Sequence, residues 1–402
     1  MVKITDWPAA FQAGVSANAR FWLDRVTAQA DSPASLEQEL DNILKGLGLA
    51  LHAAAAWPVA RDLTLALSPY MERRGLWGEW QRPLEQALAN SRRFKDGQAE
   101  ACLLEHLGTL HRLRGDLAQA LTAYQEAELV YARLDDEAGQ AHAMSNLAYI
   151  YTLSSRYEEA FAVGEEALAL FSNLKHGQGL AMTHNHLGLI HYHLRAWAFS
   201  QAHFEQALQW AESAGDVPRR ARVLHNLGNV FERQKRWDQA RRCYLQALKN
   251  YRSLDDRDHM ARVQMNLGNL CWSTDNLVEA ERYYLESLRI LRRLGDRLEL
   301  IRLYHNLGML YTQQRNWTLA AYYFEHAIEG WRQSEDRWRL ANSLGEMGYM
   351  YLKRGQVQEA ILKLEEAYHL VRSGPEHEGY RFLREEIEAR LAQAHSMVDS
   401  ER

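Results

Sequence analysis

The chain has 402 residues, of which 47% are apolar and 25% charged, and its formal net charge is −5. This composition is typical of a folded protein, and the small negative charge argues against a general attraction to nucleic acid or anionic lipid. The three cysteines, Cys102, Cys243 and Cys271, form no CxxC pair. They therefore predict no disulfide framework and indicate a reducing compartment, the cytoplasm.

The N-terminal sequence MVKITDWPAAFQAG lacks the basic start and the apolar run of a signal peptide. No run of about 18 apolar residues occurs, so the sequence predicts no membrane-spanning helix. Residues 1–57 are predicted to form an N-terminal helical cap. Residues 58–97 are predicted to form a degenerate helix-turn-helix repeat, in which Ser68 occupies the position of a glycine that recurs later in the chain.

From residue 98 to residue 373 the sequence repeats with a period of 40 residues. A small residue marks the first half of each copy, at Gly108, Ala148, Gly188, Gly228, Gly268, Gly308 and Gly348. A second small residue follows twelve positions later, at Ala120, Ala160, Ser200, Ala240, Ala280, Ala320 and Ala360. Small residues at a fixed register indicate helices that cross too closely for a larger side chain. Each half also shows helical periodicity, which predicts one helical hairpin per copy.

The copies beginning LGTLH…AQALTAYQEA at Leu107 and LGMLY…LAAYYFEHA at Leu307 resemble the tetratricopeptide repeat. The period of 40 instead of 34 is similar to the extended repeats of kinesin light chains, of peptide receptors in bacilli and of the sensor arms of STAND-type signalling ATPases. The resemblance implies an all-α, right-handed superhelical solenoid of about eight repeats with helical N- and C-terminal caps. The longer period predicts a longer second helix, and residues 374–402 predict a capping helix and tail.

In a solenoid of this type the first helix of each repeat lines the concave side. Polar residues recur on one face of the first helices of repeats four to six, at i, i+4, i+7 and i+11. We call this set the polar stripe: Arg222, Asn226, Asn229, Arg233, Arg262, Asn266, Asn269, Arg302 and Asn306.

The polar stripe has two interpretations. An asparagine can bond the backbone of an extended peptide, and an arginine can bind a carboxylate from an acidic side chain or a C-terminus. Alternatively, the asparagines link neighbouring repeats as a structural ladder. For Arg222, Arg262 and Arg302 the sequence shows no obvious acidic partner one turn away, which favours a ligand-binding groove.

Repeat three contains HNHLGLIHYHL, in which His184 and His191, and likewise His186 and His193, are seven residues apart. Two helical turns separate the members of each pair by roughly 10 Å, too far for one ion. The spacing therefore predicts no metal site and indicates pH sensitivity or groove lining.

Residues 209–252 contain ten basic and four acidic residues, and a solvated outer face is favoured over contact with nucleic acid. No GxSxG, HExxH or glycine-rich phosphate loop occurs, so the sequence predicts neither an enzyme nor a cofactor. The leading hypothesis is an adaptor or sensor that binds a protein or peptide, such as an acidic or C-terminal segment. A second is a detached regulatory arm of a STAND-like signalling or defence system with a separately encoded effector, and a third is a self-associating scaffold.

Overall fold

The computed structural model describes residues 7–28, 33–372, 374 and 378–400. All regular secondary structure in these ranges is helical, with nineteen α-helices and a short 3₁₀ helix at Ala54–Ala56. The predicted all-α class is thereby confirmed. Parts of the two predicted caps, residues 1–6, 29–32, 375–377 and 401–402, lie outside the described residues, as does residue 373 at the end of the seventh repeat.

The chain divides into two compact units, Met1–Arg257 and Asp258–Arg402. The first unit contains α1 Trp7–Ala28, α2 Pro33–His52, α3 Trp57–Arg74, α4 Trp77–Phe94, α5 Gly97–Leu113, α6 Leu117–Arg133, α7 Glu137–Leu153, α8 Tyr157–Asn173, α9 Gly177–His193, α10 Trp197–Ser213, α11 Val217–Arg233 and α12 Trp237–Ser253. The second contains α13 Arg257–Ser273, α14 Leu277–Leu294, α15 Arg297–Gln313, α16 Trp317–Gln333, α17 Arg337–Arg354, α18 Val357–Arg372 and α19 Glu378–Ser400.

The turns between helices repeat the same local chemistry. The residue before the helix is often an aspartate that caps it, as where the Asp136 side chain accepts a hydrogen bond from the Gly139 N–H at 2.8 Å. One residue earlier the backbone is left-handed, which suits Gly115 at φ 83° and is tolerated by Asp135 at φ 54°. The two helices of a repeat are similar in length, with 17 residues each in α5 and α6 and with 17 and 18 in α13 and α14. The extra length of the 40-residue period is therefore shared by both helices instead of being confined to the second.

The small residues predicted at the helix crossings do lie at close contacts. A Cβ atom built on Gly228 would lie 2.4 Å from the ring of Tyr244 on the second helix of the same repeat. In the second unit, a Cβ on Gly268 would lie 2.4 Å from the Tyr284 ring. Since real Cβ atoms do not approach a ring this closely, glycine is required for the aromatic residue to fill the crossing. The predicted register is confirmed at these positions.

Among the described residues no single helix is both long enough and apolar enough to cross a membrane. One bent pair of segments, Leu36–His52 and Ala54–Arg74, would satisfy length and composition together, with an angle of 116° between its parts.

Candidate functional site

The asparagines of the polar stripe in the first unit are engaged in internal hydrogen bonds. Asn226 Nδ2 donates to Asn185 Oδ1 on the preceding first helix at 2.9 Å. Asn229 Oδ1 accepts from the Tyr244 hydroxyl at 2.7 Å, which ties the first helix of the repeat to its second. Both contacts are those expected of a ladder between helices.

The second unit repeats this arrangement. Asn306 Nδ2 donates to Asn269 Oδ1 at 2.9 Å, and the same Asn269 oxygen accepts from the Tyr284 hydroxyl at 2.7 Å. Asn266 is half-buried on α13. The structure thus supplies specific contacts for the ladder interpretation, and these asparagines would have to give up a bond, or share it, to bind a peptide.

The arginines of the polar stripe in the first unit have fewer internal contacts than its asparagines. Arg222 is exposed on α11 and makes no hydrogen bond or ion pair within the part of the chain that the structure describes. Arg233 is also exposed, and its Nε donates to the Tyr192 hydroxyl at 3.1 Å. Arg222 therefore retains a guanidinium that can bind an external acceptor.

The arginines of the second unit have acidic partners. Arg262 contacts Asp258 at 3.1 Å, Asp296 at 3.2 Å and Glu299 at 3.0 Å. Arg302 contacts Glu299 at 2.8 Å. Burial alone would lower the pKa of Arg262, but the three carboxylates outweigh it and raise this pKa. The prediction that these two arginines lack an acidic partner one turn away is wrong, because Asp258 and Glu299 stand four and three residues before them.

Replacing Arg262 tests this structural role. We expect Arg262→Ala to lower the free energy of unfolding by about 1–2 kcal/mol, because Glu299, only 3% exposed, would keep a single partner. This loss of stability is smaller than that expected on breaking a fully buried ion pair, because the Arg262 side chain is 37% exposed. Urea unfolding measures the change, and Arg289→Ala on the exposed face of α14 is the control. Unchanged stability in Arg262→Ala would show that this arginine is free for other roles.

A cavity of about 580 Å³ lies within the second unit, and we call it the C-terminal cavity. It is lined by Trp272, Met309, Thr312, Gln313, Arg315, Trp317, Glu346, Tyr349, Lys353 and Arg390. Met309 and Gln313 continue the face of α15 that carries the polar stripe. Glu346, Tyr349 and Lys353 occupy the same register on α17, 40 residues after Asn306, Met309 and Gln313. The cavity is therefore built largely on first-helix positions.

One wall of the C-terminal cavity comes from the last helix. Arg390 on α19 donates to the Gly345 carbonyl at 3.0 Å and to the carboxylates of Glu346 at 3.0 Å and Glu386 at 2.6 Å. Its guanidinium carbon lies 4.8 Å from the centre of the Tyr349 ring. Sequence reasoning missed Arg390 because α19 was interpreted only as a cap. The three α17 positions could have been found by extending the stripe one period further.

Two further cations flank the same cavity without an acidic partner. Arg315, in the turn between α15 and α16, and Lys353, near the end of α17, are both exposed. Neither forms an ion pair among the residues that the structure describes. The Lys353 Nζ lies 5.2 Å from the centre of the Tyr349 ring. The site thus combines aromatic walls with two available positive charges.

The histidines of repeat three are joined by one that the sequence reasoning did not include. His203 lies on the second helix, α10, and its Nδ1 is 3.1 Å from His184 Nδ1. The His191 ring stacks on His203 with a centroid distance of 5.2 Å. Within the described ranges no group of three histidine, cysteine or acidic side chains is arranged to hold a metal ion. In repeat six the same three register positions hold Tyr304, Tyr311 and Tyr323, so these imidazoles occupy a packing layer.

Burial keeps several of these histidines neutral. It lowers the pKa of His186 to about 3, with the positive charge of Arg222 adding to the effect. Burial, together with His184 and His191, lowers the pKa of His203 to about 4. His186 also stacks on Tyr149 with ring centroids 4.9 Å apart. A neutral imidazole at pH 7 fits an apolar or stacked environment better than a charged one.

The tetratricopeptide repeat family model matches four overlapping or adjacent segments, residues 84–173, 179–253, 259–333 and 300–373. No curated protein matches the chain significantly.

Three solved structures with similar folds are distant from this chain in sequence. The STAND signal transduction ATPase with a tetratricopeptide repeat sensor from Pyrococcus horikoshii has a TM-score of 0.60 and 14% identity, with 88% of this chain and 54% of that chain covered. The quorum sensor NprR of B. thuringiensis has a TM-score of 0.55 and 14% identity, covering 89% and 99%. A Rap protein complexed with competence and sporulation factor has a TM-score of 0.54 and 14% identity, covering 83% and 99%.

Proposed function

The chain belongs to the tetratricopeptide repeat family, and from this premise we propose that it is a non-enzymatic adaptor or sensor that binds a protein or peptide segment on the first helices of its repeats. The observation that carries the proposal is the C-terminal cavity, because its walls are first-helix positions with aromatic rings and unpaired cations. Pockets of about 300–1,000 Å³ with a few convergent polar groups are typical ligand sites.

The comparisons support this proposal at the level of the fold. Two structures with the same fold are named as a quorum sensor and as a Rap protein in complex with a competence and sporulation factor. Those roles belong to those proteins, and the fold is what they share with this chain. All three cysteines of this chain are free thiols, which agrees with the cytoplasmic location that we propose.

Selection from a random library of linear twelve-residue peptides tests the proposal. We expect the purified chain to enrich a consensus, and a Tyr349→Ala variant to bind the enriched peptides more weakly because one wall of the cavity is removed. Failure to enrich any peptide would contradict the proposed site. So would enriched peptides whose affinity is the same for the unmodified chain, for Tyr349→Ala and for Arg222→Ala.

The first unit offers its own ligand contact, Arg222. For an enriched peptide that contains an acidic residue, we expect Arg222→Ala to weaken binding by about 1 kcal/mol, roughly fivefold, since a charged hydrogen bond at an exposed position is partly screened. Isothermal titration at low and high salt measures the effect. The control pair Arg241→Ala and Arg242→Ala on α12 should leave affinity unchanged. Weaker binding in the Arg241→Ala and Arg242→Ala pair, with unchanged binding in Arg222→Ala, would place the binding surface on α12.

A second candidate is a regulatory arm of a STAND-like system that acts on a separately encoded effector. The observation that favours it is the similarity to the STAND structure, although this chain covers only 54% of that protein's length. Affinity capture from the native host with the purified chain as bait tests this role. Recovery of a nucleotide-hydrolysing effector would support it, and repeated recovery of unrelated short peptides or cargo proteins would contradict it.

A further inference from the structure

We propose that the C-terminal cavity recognises an acidic side chain of the bound segment together with a neighbouring aromatic or long aliphatic side chain. This inference rests on the proposed function and names the ligand chemistry of one part of that surface. It is carried by the balance of charges, by the composition of the walls and by the position of α19.

The charges of the cavity leave two cations for a ligand. Arg390 is paired with Glu346 at 3.0 Å and with Glu386 at 2.6 Å, so these three side chains together carry a net charge of −1. Arg315 and Lys353 have no such partner among the described residues, and both are exposed at the cavity. Their two positive charges exceed the −1 of the Arg390 group and leave the five side chains at +1, which attracts an anion and repels a basic segment.

The walls between these cations are aromatic and apolar. Trp272, Trp317 and Tyr349 supply large flat surfaces, and Met309 supplies a flexible one. Aromatic side chains contribute most of the contact energy in small binding sites, and methionine adapts to differently shaped partners. An acidic side chain alone would leave these surfaces uncovered. A segment that places a large apolar side chain beside the acidic one can contact both the cations and the aromatic walls.

Arg390 fixes the shape of this wall. Its bonds to the Gly345 carbonyl and to Glu346 hold α19 against α17, and its guanidinium lies 4.8 Å from the Tyr349 ring centre. Lys353 lies 5.2 Å from the same ring centre. Arg390, held by its own bonds, thus supports the Tyr349 ring before any ligand arrives, and such preorganisation reduces the entropic cost of binding.

A peptide array tests the proposal directly. Each spot carries one dipeptide within a neutral Gly-Ser host with a blocked C-terminus, and a second set replaces the acidic residue with phosphoserine. We expect the full chain to bind best where Asp or Glu stands beside Trp, Tyr, Phe, Leu or Met. Exchange of Glu for Gln should weaken binding at least tenfold. Stronger binding to phosphoserine than to Glu would overturn the assignment to a carboxylate.

Charge reversal separates this inference from the proposed function. We expect Arg315→Glu with Lys353→Glu to remove the acidic preference, whereas Arg289→Glu with Arg293→Glu on α14 keeps it. The milder Lys353→Gln should lower the preference in the same direction. Peptide binding that persists without any acidic preference, or that is unchanged by the cavity variants, would overturn the inference and leave the proposed function intact. No binding to any spot and no enrichment from the random library would overturn both.

Discussion

Lowering the pH from 7 to 5 should reduce the free energy of unfolding by about 5 kcal/mol, and most of this loss arises in the first unit. Burial lowers the pKa of His186 to about 3, and it lowers those of His142, His203 and, in the second unit, His305 to about 4. The unfolded chain takes up protons below about pH 6.5, whereas these folded sites do not, so stability is lost as the pH falls below that value. Each well-buried histidine contributes about 2 kcal/mol of this loss at pH 5, and His203 contributes less because solvent reaches part of its ring.

One buried carboxyl opposes this trend. Burial raises the pKa of Glu105 to about 7, and the Tyr131 hydroxyl bonds to it at 2.9 Å. The folded state therefore binds a proton here at a higher pH than the unfolded chain, which returns about 2 kcal/mol between pH 7 and pH 5. Because four histidines outweigh one glutamate, the net change remains a loss.

Urea unfolding at pH 7 and pH 5 measures the change. Replacing His203 with Phe should remove about a quarter of the histidine contribution. The position accepts an aromatic ring, since repeat six holds Tyr323 there. His52→Gln, at an exposed position on α2, is the control and should leave the pH dependence unchanged. Equal stability at both pH values, or the same pH dependence in His203→Phe as in the unmodified chain, would show that these histidines are not desolvated as the structure indicates.

Gly228→Leu should destabilise the protein by about 3 kcal/mol, at the upper end of the usual cost of overpacking. Even a Cβ atom at this position would lie 2.4 Å from the Tyr244 ring. The ring cannot easily retreat, because the Tyr244 hydroxyl bonds to Asn229 at 2.7 Å and to Glu232 at 2.6 Å. The strain must therefore be relieved by separating α11 from α12.

A matched pair of smaller substitutions controls for backbone effects. Gly228→Ala and Gly48→Ala make the same chemical change within a helix, but the Cβ added at Gly48 meets no atom within 4 Å. Gly48→Ala should be neutral or stabilising by about 0.5–1 kcal/mol, since alanine favours the helix. Thermal unfolding that ranks the two alanine variants equally would contradict the crossing assigned to Gly228.

The sequence was sufficient to predict the features that recur with the period. Gly228 and Gly268 lie opposite their aromatic partners, because a large side chain can fill a crossing only where the facing residue is small. The second repeat departs from this pattern, with Ala148 facing Gly164. Contacts between repeats were predicted less well. Arg262 pairs with Glu299 across 37 residues and with Asp258 one turn away, and the choice among such partners depends on side-chain reach in three dimensions.

The parts of the site outside the repeat pattern were not predicted. Arg390 belongs to α19, whose sequence does not carry the repeat signature, so no register placed it beside Tyr349. His203 was missed for a related reason, since spacing along α9 says nothing about residues on α10. In both cases the missing information is which helix packs on which, and this emerges only from the packed structure.

Photo-crosslinking tests the central claim most directly. A library-enriched peptide carrying a benzoylphenylalanine at its apolar position is irradiated with the full chain, and the attachment sites are mapped by mass spectrometry. Binding on the first helices predicts attachment to the walls of the C-terminal cavity, at Met309 on α15, at Tyr349 on α17 or near Arg390 on α19. The same product should be lost in the variant with Arg315→Glu and Lys353→Glu. Attachment confined to second helices such as α12 or α14 would contradict binding on the first helices.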